Sequence, residues 1–435
     1  MNKKPTSSKV LNGSYSPANT WNAAPLKRWT TSIQTGPFGS QLHHEDYLRG
    51  GHPVINPSHL INGYINPDDE CAVSKEKFEE LIRHELLEGD MVFARRGELG
   101  RCGLVTHSQH GFLCGTGSIR VRPDRGSLQP TYLRWFMQTK AVAEWLSLES
   151  VGTTMDNLGA ETVAELPIQA PSPPRQHSIA TYLDRETKRI DELVSVKERL
   201  LELVAEKRRA LITRAVTRGL NPKAALRDSG IPWLGAIPEH WQVERSKWLF
   251  TERDERSSTG EEEMLTVSHL TGVTPRAEKD VNMFEAETTE GYKLCQPNDL
   301  VINTLWAWMG AMGTARAPGM VSPAYHVYTP GDRLDSDYVD ALVRIPIFAQ
   351  EAIRFSKGVW SSRLRLYPEG LYEIWFPVPP LEEQRAIVTH IARETAKLDA
   401  LRASAERTIA LLKERRAALI SAAVTGKIAI PDSID

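Results

Sequence analysis

The sequence predicts an α+β protein in which two tandem α/β domains are separated by two long helices, paired as an antiparallel coiled coil with pseudo-twofold symmetry. The first observation behind this prediction is an internal repeat. Residues 176–217 recur at residues 384–425, a shift of 208 positions without a gap, and 19 of the 42 aligned pairs are identical. The second is that a segment of mixed strand and helix patterns precedes each copy. A repeat of this length indicates a duplicated structural unit, so we expect the function to involve two similar elements held apart.

The composition is that of a folded multidomain protein. The 435 residues exceed what one hydrophobic core supports, and 41% hydrophobic with 25% charged residues is typical of globular chains. The apolar runs are too short to span a bilayer and the N-terminus has no apolar signal segment, so we expect a cytoplasmic protein without membrane contact. The net charge of −2 argues against nonselective coating of nucleic acid but leaves room for a local basic face. Four scattered cysteines predict reduced, mostly buried thiols.

Both copies of the repeat have the apolar spacing of a long amphipathic helix. Prolines precede each copy, none lies inside, and Gly219 or Gly426 follows, which predicts helices of about 40 residues and about 60 Å. An apolar stripe of this length needs a partner, and the other copy is the simplest one. Lys197, Lys207, Thr408 and Arg415 interrupt the predicted seam. The seam consists of Ile179, Leu183, Ile190, Leu193, Leu200, Val204 and Leu211 in the first copy, and Ile387, Ile391, Leu398, Leu401, Leu412 and Leu419 in the second.

These patterns divide the chain into five segments: an N-terminal tail (1–25), a first domain (26–172), a central helical spacer (173–225), a second domain (226–376) and a C-terminal helical spacer (377–435). Short strands are predicted at 52–56, 90–94 and 118–121 in the first domain, and at 263–267, 299–303 and 325–328 in the second. Helices are predicted at 130–149 and 337–355. The domains share a turn, Gly89-Asp90 in one and Asn298-Asp299 in the other, but little further sequence.

The motifs of the common catalytic and nucleotide-binding sites are missing from the sequence. It contains no G-x-x-x-x-G-K-S/T loop, no H-E-x-x-H helix and no G-x-S-x-G turn. Its Asn-Pro steps lack the aromatic residue that an adenine methyltransferase places after N-P-P. Residues 67–70 (PDDE) are better explained as a turn than as metal carboxylates. We therefore predict no catalytic residue and no metal ligand in this chain.

Basic and polar residues at turns are the remaining candidates for ligand contacts in the first domain. Arg95, Arg96 and Arg101 follow a predicted strand at a glycine-punctuated turn, where guanidinium groups can bind guanine edges or phosphates. The alternative is a solvated pair of surface arginines. Ser40 follows Gly39 in a tight turn that exposes backbone N–H groups to a phosphate, although a purely structural turn explains the pattern equally well.

The second domain offers different candidates. Asn303 and Trp306 lie at the end of a predicted strand, where Trp306 and Trp308 are candidates for stacking on bases or, alternatively, for core packing. Arg363 and Arg365 alternate with an apolar residue before the second proline-rich junction, which directs both to one face of an extended segment. The corresponding segment of the first domain, residues 152–157, carries no arginine.

Four motifs together resemble one known protein family. They are the proline-rich entry to the second helix (PPLEEQRAI, 379–387), the repeated Arg-Glu-Thr with its trailing Asp191 or Asp399, the lead-in to the second domain (DSGIPWLG, 228–235, and IPEHW, 237–241), and the turn GDMVFARRG (89–97). This arrangement resembles the specificity (S) subunit of type I restriction–modification systems. The first domain departs from the pattern, since only Trp21 and residues 26–28 stand in for Trp241 and the residues after it.

The resemblance implies a division of roles. Each domain would be a target-recognition domain for one half of a bipartite site in double-stranded DNA, while the helices set the spacing and dock two copies of a modification (methyltransferase) subunit. The docking residues would include Arg185, Glu186, Leu193 and Leu211 and their counterparts Arg393, Glu394, Leu401 and Leu419. Partner subunits would use S-adenosylmethionine to methylate adenine, and a restriction/translocase subunit would use ATP and Mg. This chain would bind no cofactor and catalyse nothing.

Two other classes of function stay open at the level of sequence. One is a stand-alone DNA nuclease with an unrecognised active site, which would cut DNA as a purified chain with metal ions. The other is a coiled-coil scaffold with protein-binding heads. The scaffold explains the helices, but it does not explain why both domains share one plan and differ in surface.

Overall fold

The computed structural model describes residues 21–97, 100–149, 158–278, 288–358 and 364–431. The chain divides into two compact units. The first comprises residues up to Lys197 together with those from Arg407 onward, and the second comprises Glu198–Glu406. Each unit therefore contains one globular domain and a part of both long helices. Among the described residues, none of the helices combines the length and apolar character needed to cross a membrane.

The domain of the first unit is built on an antiparallel four-stranded sheet with the order β2-β10-β7-β8. A separate pair, β1 with β11, joins the start of the domain to its end. The strands are β1 (Asn22–Pro25), β2 (Thr30–Thr35), β3 (His52–Ile55), β4 (Leu60–Ile61), β5 (Tyr64–Ile65), β6 (Ala72–Val73), β7 (Met91–Ala94), β8 (Cys102–Leu104), β9 (Leu113–Cys114), β10 (Ser118–Pro123) and β11 (Pro167–Ala170). The helices are α1 (Lys75–Glu80), α2 (Pro130–Met137), α3 (Lys140–Glu149) and α4 (Ala160–Glu165), followed by the long α5 (Pro173–Arg218).

The domain of the second unit repeats this plan with the sheet order β15-β22-β19-β20 and the closing pair β14 with β23. The strands are β12 (Leu226–Asp228), β13 (Ala236–Pro238), β14 (Gln242–Arg245), β15 (Phe250–Arg253), β16 (Leu265–Ser268), β17 (Gly272–Pro275), β18 (Lys293–Cys295), β19 (Leu300–Ile302), β20 (Met312–Thr314), β21 (Gly319–Val321), β22 (His326–Pro330) and β23 (Trp375–Val378). The helices are α6 (Ser336–Val343), α7 (Pro346–Arg354) and α8 (Pro368–Leu371), followed by the long α9 (Leu381–Val424). The α+β class and the two-domain plan are thus confirmed.

Three boundaries differ from the predicted ones. Residues 22–25, assigned to the N-terminal tail, form β1, and the helices predicted at 130–149 and 337–355 are each divided in two. In the second domain the division falls at Pro346, which lacks an N–H group and starts a new helix instead of continuing the old one. In the first domain the Thr139 hydroxyl bonds to the Phe136 carbonyl at 2.9 Å where α2 ends.

The turn shared by the two domains has a structural role. Gly89 and Asn298 both have positive φ (88° and 76°), and each precedes a buried aspartate. The Asp90 carboxylate accepts two hydrogen bonds from Arg122, at 2.7 and 2.8 Å, and the Asp299 carboxylate accepts one from Arg253 at 2.8 Å. These bonds compensate the cost of burying a charged group next to the sheet.

The two long helices pair in antiparallel fashion. In the first unit Arg416 of α9 bonds to Asp191 of α5 at 2.9 Å, and in the second unit Arg208 of α5 bonds to Asp399 of α9 at 2.7 Å. Asp191 is the repeat counterpart of Asp399, as Arg208 is of Arg416. Each unit thus contains the same arginine–aspartate contact between the two helices, made by equivalent residues.

The apolar seam differs in part from the predicted one. Leu193 and Leu401, expected inside it, are 51% and 43% exposed. Thr187 and Thr395 are buried and belong to the seam. Each lies four residues after a predicted seam residue, Leu183 or Ile391, whereas we expected the next seam residue seven positions further on. The buried members are Ile179, Leu183, Thr187, Ile190 and Val204 of α5, and Ile387, Thr395, Leu398, Ala405, Ile409 and Ile420 of α9.

Threonine is tolerated in this seam because its hydroxyl is satisfied within its own helix. Thr187 Oγ1 donates to the Leu183 carbonyl at 2.6 Å, and Thr395 Oγ1 donates to the Ile391 carbonyl at 2.8 Å. Each methyl group is then free to pack as an apolar group. The predicted interruptions at Lys207 and Arg415 are wrong, since both side chains are exposed.

The ends of the long helices meet equivalent tryptophans. Gly219 and Gly426 have positive φ (69° and 72°), and a Cβ atom on either would lie 3.2 or 3.0 Å from the Cζ2 atom of Trp241 or Trp21, respectively. Trp21 is thus the structural counterpart of Trp241, although the sequence around it lacks the GxIPxxW pattern.

Candidate nucleic-acid interface

Equivalent loops follow strand β7 in the four-stranded sheet of the first domain and strand β19 in that of the second. In the first domain the Arg95 carbonyl accepts a hydrogen bond from the Leu158 N–H at 2.8 Å, and in the second the Thr304 carbonyl accepts one from the Leu366 N–H at 3.3 Å. The same backbone contact thus holds the loop after β7 and the loop after β19. The side chains on these loops are different, so one scaffold presents two chemistries.

The loop of the first domain presents guanidinium groups. Arg95 is half-buried and its Nε donates to the Leu158 carbonyl at 3.2 Å, which gives this side chain a structural contact. Arg96 is exposed. The Arg101 Nε is buried and has no hydrogen-bond partner within the part of the chain that the structure describes, and Gly97 (φ 80°) leaves space beside the guanidinium. Arg96 and Arg101 are therefore the better placed of the three for a ligand.

The loop of the second domain presents aromatic rings. Trp306 is 50% exposed and its ring stacks on that of Trp308, with centroids 6.2 Å apart and planes at 16°. The Trp308 Nε1 donates to the Leu305 carbonyl at 3.1 Å, which fixes the supporting ring. Trp306 borders a largely apolar cavity of about 420 Å³, lined among others by Val267 and Tyr325. A braced, half-exposed ring loses little conformational freedom when it contacts a ligand.

Asn303 does not belong to this exposed surface, contrary to our expectation. Its side chain is 5% exposed, and its Nδ2 donates to the Tyr325 hydroxyl at 2.9 Å and to the Val267 carbonyl at 3.3 Å. Its Oδ1 accepts the Leu305 N–H at 3.2 Å. Burial also raises the pKa of Tyr325, which therefore stays protonated at neutral pH. Asn303 supports the loop from below and lines the same cavity that Trp306 borders.

The remaining candidates lie in different places. Ser40 is exposed in the turn after β2, next to Phe38, which is 61% exposed. Arg365 is half-buried, and its backbone pairs with that of Lys357 at 2.9 Å in both directions. Arg363 and the segment 152–157 lie outside the described residues.

The strand predicted at 263–267 forms a hairpin with β17 near Trp306, and this hairpin was not predicted. The hairpin β16–β17 contributes Ser268 and His269 to the lining of the cavity, and Leu270 at its turn is 75% exposed. A signal was available, because an alternating strand (LTVS) ending in a Thr-Gly turn predicts a hairpin whose tip is exposed.

One group of potential metal ligands comes together in the first domain. Ligand atoms of His59, Asp68 and Cys71 lie within 4.8 Å of one another. The His59 Nδ1 accepts the Asn56 N–H at 3.2 Å, and Asp68 Oδ1 accepts the Glu70 N–H at 3.0 Å. Burial raises the pKa of the Cys71 thiol and so disfavours the thiolate that a metal requires. The Asp68 contact belongs to the turn at residues 67–70, and the His59 contact belongs to the separate 3₁₀ turn Pro57–His59.

The residues assigned to partner docking lie along the helices in equivalent pairs. Arg185 bonds to Glu186 at 3.1 Å, and Arg393 bonds to Glu394 at 3.0 Å. A hydrogen bond from Lys397, followed by that from Arg393, lowers the pKa of Glu394. Leu211 and Leu419 are half-buried, whereas Leu193 and Leu401 are largely exposed.

Residues 33–202 match the family described as "Type I restriction modification DNA specificity domain". This part of the chain is similar to that family. The resemblance drawn from the sequence motifs is thereby confirmed.

Curated relatives and solved structures agree with this assignment. The StySPI specificity subunit of Salmonella potsdam is 26% identical over 228 residues, which cover 50% of this chain and 48% of the relative. The EcoKI specificity subunit of Escherichia coli (strain K12) is 32% identical over 118 residues, covering 25% of this chain and 24% of the relative. The chain spans about half the length, or less, of the curated relatives it matches.

The fold of the whole chain is similar to that of two solved structures. A chain from a study of complex assembly and conformational transition of the type I R-M system has a TM-score of 0.72 at 18% identity, covering 95% of this chain and 100% of that one. The HsdS subunit from Thermoanaerobacter tengcongensis has a TM-score of 0.58 at 18% identity, covering 96% and 99%. At this level of identity the likeness shows the fold.

Proposed function

We propose that this chain recognises a bipartite sequence in double-stranded DNA, one half-site per domain, and directs the methylation and restriction activities of partner subunits. The observation that carries the proposal is the pair of equivalent loops, which have the same backbone support and different exposed side chains. Two different half-sites require such a combination of constant scaffold and variable surface. The family assignment of residues 33–202 supports DNA as the ligand.

The loop chemistry suggests how the two half-sites differ. Arg96 and Arg101 of the first domain suit guanine, whose N7 and O6 atoms accept a bidentate contact from arginine. Trp306 of the second domain suits an apolar feature, and the thymine methyl group is the one that the major groove offers. Ser40 and Arg365 are assigned to the sugar–phosphate backbone, where contacts position the protein without selecting a base.

The helices carry the proposed docking surface for the partners. Exposed leucines occur there in equivalent pairs: Leu193 and Leu411 belong to the first unit, Leu401 and Leu203 to the second. A surface that occurs twice fits two copies of one partner, and we assign it to the modification subunit. In this proposal S-adenosylmethionine, ATP and Mg are used by the partner subunits, and the chain itself is not catalytic.

DNA recognition is tested with the complex of this chain and its modification subunit. Mapping methylated adenines in cells that contain both defines the site. We then expect a duplex with the mapped bipartite site to bind about a thousandfold more tightly than a scrambled duplex, the lower end of the usual specificity range. Equal binding of the two duplexes would refute the proposal, and cutting of DNA by the purified chain alone with Mg would favour the nuclease alternative.

The docking surface is tested separately. Leu193→Asp with Leu401→Asp is expected to abolish capture of the modification subunit, because both side chains are exposed on the helices. The matched control is Leu148→Asp, a similarly exposed leucine on α3 of the first domain (57%). If both variants capture the partner as the wild type does, the assignment of the docking surface is wrong.

A further inference from the structure

A buried glutamine joins the first domain to the start of α5. Gln176 is fully buried, and its Oε1 accepts the backbone N–H of Gln129, the residue that precedes α2, at 2.7 Å. Its Nε2 donates to the carbonyls of Ser127 and Pro171, both at 2.8 Å. The amide thus uses both its donor and its acceptor atoms to connect the domain helix with the entry of the long helix.

A buried tyrosine of the same domain helix reaches the end of the other long helix. The Tyr132 hydroxyl lies 2.8 Å from the Gln169 carbonyl in β11 and 3.0 Å from the Val424 carbonyl, at the last residue of α9. Its single proton is shared between the two acceptors. Burial raises the pKa of Tyr132 far above neutral pH, so the proton is always present.

The second unit contains the same glutamine contacts. The Gln384 Oε1 accepts the N–H of Asp335, the residue that precedes α6, at 2.8 Å. Its Nε2 donates to the carbonyls of Arg333 and Pro379 at 2.9 and 2.8 Å. Gln384 is fully buried and is the repeat counterpart of Gln176.

The second unit also contains the same tyrosine contacts. The Tyr338 hydroxyl lies 3.0 Å from the Val216 carbonyl in the last turn of α5 and 3.4 Å from the Pro377 carbonyl in β23. Val216 is the repeat counterpart of Val424. We call Gln176 with Tyr132, and Gln384 with Tyr338, the Gln–Tyr clusters.

The clusters give a physical reason for the repetition of the helices. Each domain binds the start of the helix that follows it and the end of the other one, so both helices need the same two attachment points. One of the two carbonyls that each tyrosine binds, that of Val424 or Val216, belongs to the last turn of a long helix, where carbonyl groups lack the hydrogen bonds of the helix interior. The attachment is therefore specific to the helix ends, and it determines which end of each long helix a domain contacts.

We propose that Tyr132 and Tyr338 are positioning residues that hold each recognition domain in one orientation on the helix pair and thereby restrict the spacing of half-sites that the protein accepts. This inference rests on the proposed function. If a domain is held rigidly, a duplex with one base pair more or less between the half-sites is bound only at the cost of lost contacts. If the domain is held loosely, it follows the displaced half-site at a lower cost.

The experiment compares duplexes whose half-sites are separated by the mapped spacing n, by n − 1 and by n + 1. The variant is Tyr132→Phe, assembled with the modification subunit, and Tyr338→Phe provides the independent second variant. The matched control is Tyr47→Phe. The Tyr47 hydroxyl also takes part in a partly buried hydrogen bond, which it accepts from Asn56 Nδ2 at 3.3 Å, but this bond does not involve the long helices. Affinity for all three duplexes is measured for each protein.

We expect each cluster variant to lower the ratio between binding at n and at n ± 1 by about fivefold, the size expected from one hydrogen bond. Tyr47→Phe should leave the ratio as in the wild type. A purely structural role would weaken binding to all three duplexes equally, and that result, like an unchanged ratio, would overturn the inference. A wild-type complex that binds all spacings and scrambled sequences equally would instead overturn the proposed function.

Discussion

Lengthening the helix pair should change the spacing between the half-sites and leave the half-sites themselves unchanged. The antiparallel register decides how the change must be made. Since Asp191 contacts Arg416 and Arg208 contacts Asp399, the insertion has to be made in both helices, between residues 191 and 208 and between residues 399 and 416. Seven residues in each helix preserve the heptad phase of the seam.

The expected displacement follows from helix and DNA geometry. Seven residues add about 10 Å to an α-helix at 1.5 Å per residue. B-DNA rises about 3.4 Å per base pair, so the optimum spacing should grow by about three base pairs. Three base pairs also turn one half-site relative to the other by about 100°, because one helical turn takes about 10.5 base pairs. We therefore expect weaker binding at the new optimum than in the wild type.

The assay measures binding of the assembled complex to duplexes with spacings from n − 1 to n + 4. The control carries the same seven residues after Gly230, where a Cβ atom would meet nothing within 4 Å, so that mass is added to the second unit without lengthening the helices. The control should keep the optimum at n. If the double insertion also keeps it at n, the helices do not set the spacing.

Three further predictions concern the loops, a helix end and a buried histidine. Arg96→Ala should weaken discrimination in one half-site and Trp306→Ala in the other, each by about 1–3 kcal/mol, measured by competition with duplexes altered in one half-site at a time. Gly219→Ala should lower the thermal midpoint more than Gly230→Ala, because both have positive φ but only at Gly219 would the new methyl group approach other side chains, the nearest at 2.9 Å. Burial, together with nearby arginines, lowers the pKa of His84 to about 4, so the folded state keeps the ring neutral while the unfolded chain takes up a proton near pH 6.5. Stability should be highest above pH 6.5 and fall as the pH drops toward 4, and thermal melts of His84→Gln should show a weaker decrease.

Each of these predictions has an outcome that contradicts it. Loss of discrimination in the same half-site for both loop variants would mean that the loops are not on separate recognition surfaces. Equal midpoints for the two glycine variants would show that the contacts at the end of α5 relax at no cost. A wild-type pH profile in the His84→Gln variant would assign the acid sensitivity to other groups.

The helices were predictable because their limits are set by local chemistry. Prolines before each repeat and Gly219 or Gly426 after it fix the ends without reference to the rest of the fold. The seam was less predictable, since the choice between Leu193 and Thr187 depends on which face the partner helix covers. A threonine that bonds to its own helix is apolar enough to be buried, and composition alone does not reveal that bond.

The candidate interface was predictable only in outline. A strand followed by a glycine-containing turn indicated the position of both loops, but Asn303 and Trp306, three residues apart, have opposite environments. The hairpin β16–β17 provides the Val267 carbonyl that Asn303 binds, and this contact spans 36 residues of sequence. Such long-range contacts decide which polar side chains are buried, and they become visible only in the folded chain.

The central claim is that two domains of one plan recognise two different half-sites. The most direct measurement is the affinity of the assembled complex for duplexes in which the first, the second or both mapped half-sites are scrambled at constant spacing. We predict that scrambling either half-site alone lowers affinity by at least about a hundredfold, as expected for the loss of several base contacts at about 1–3 kcal/mol each. Full affinity for a duplex that retains only one half-site would contradict the account.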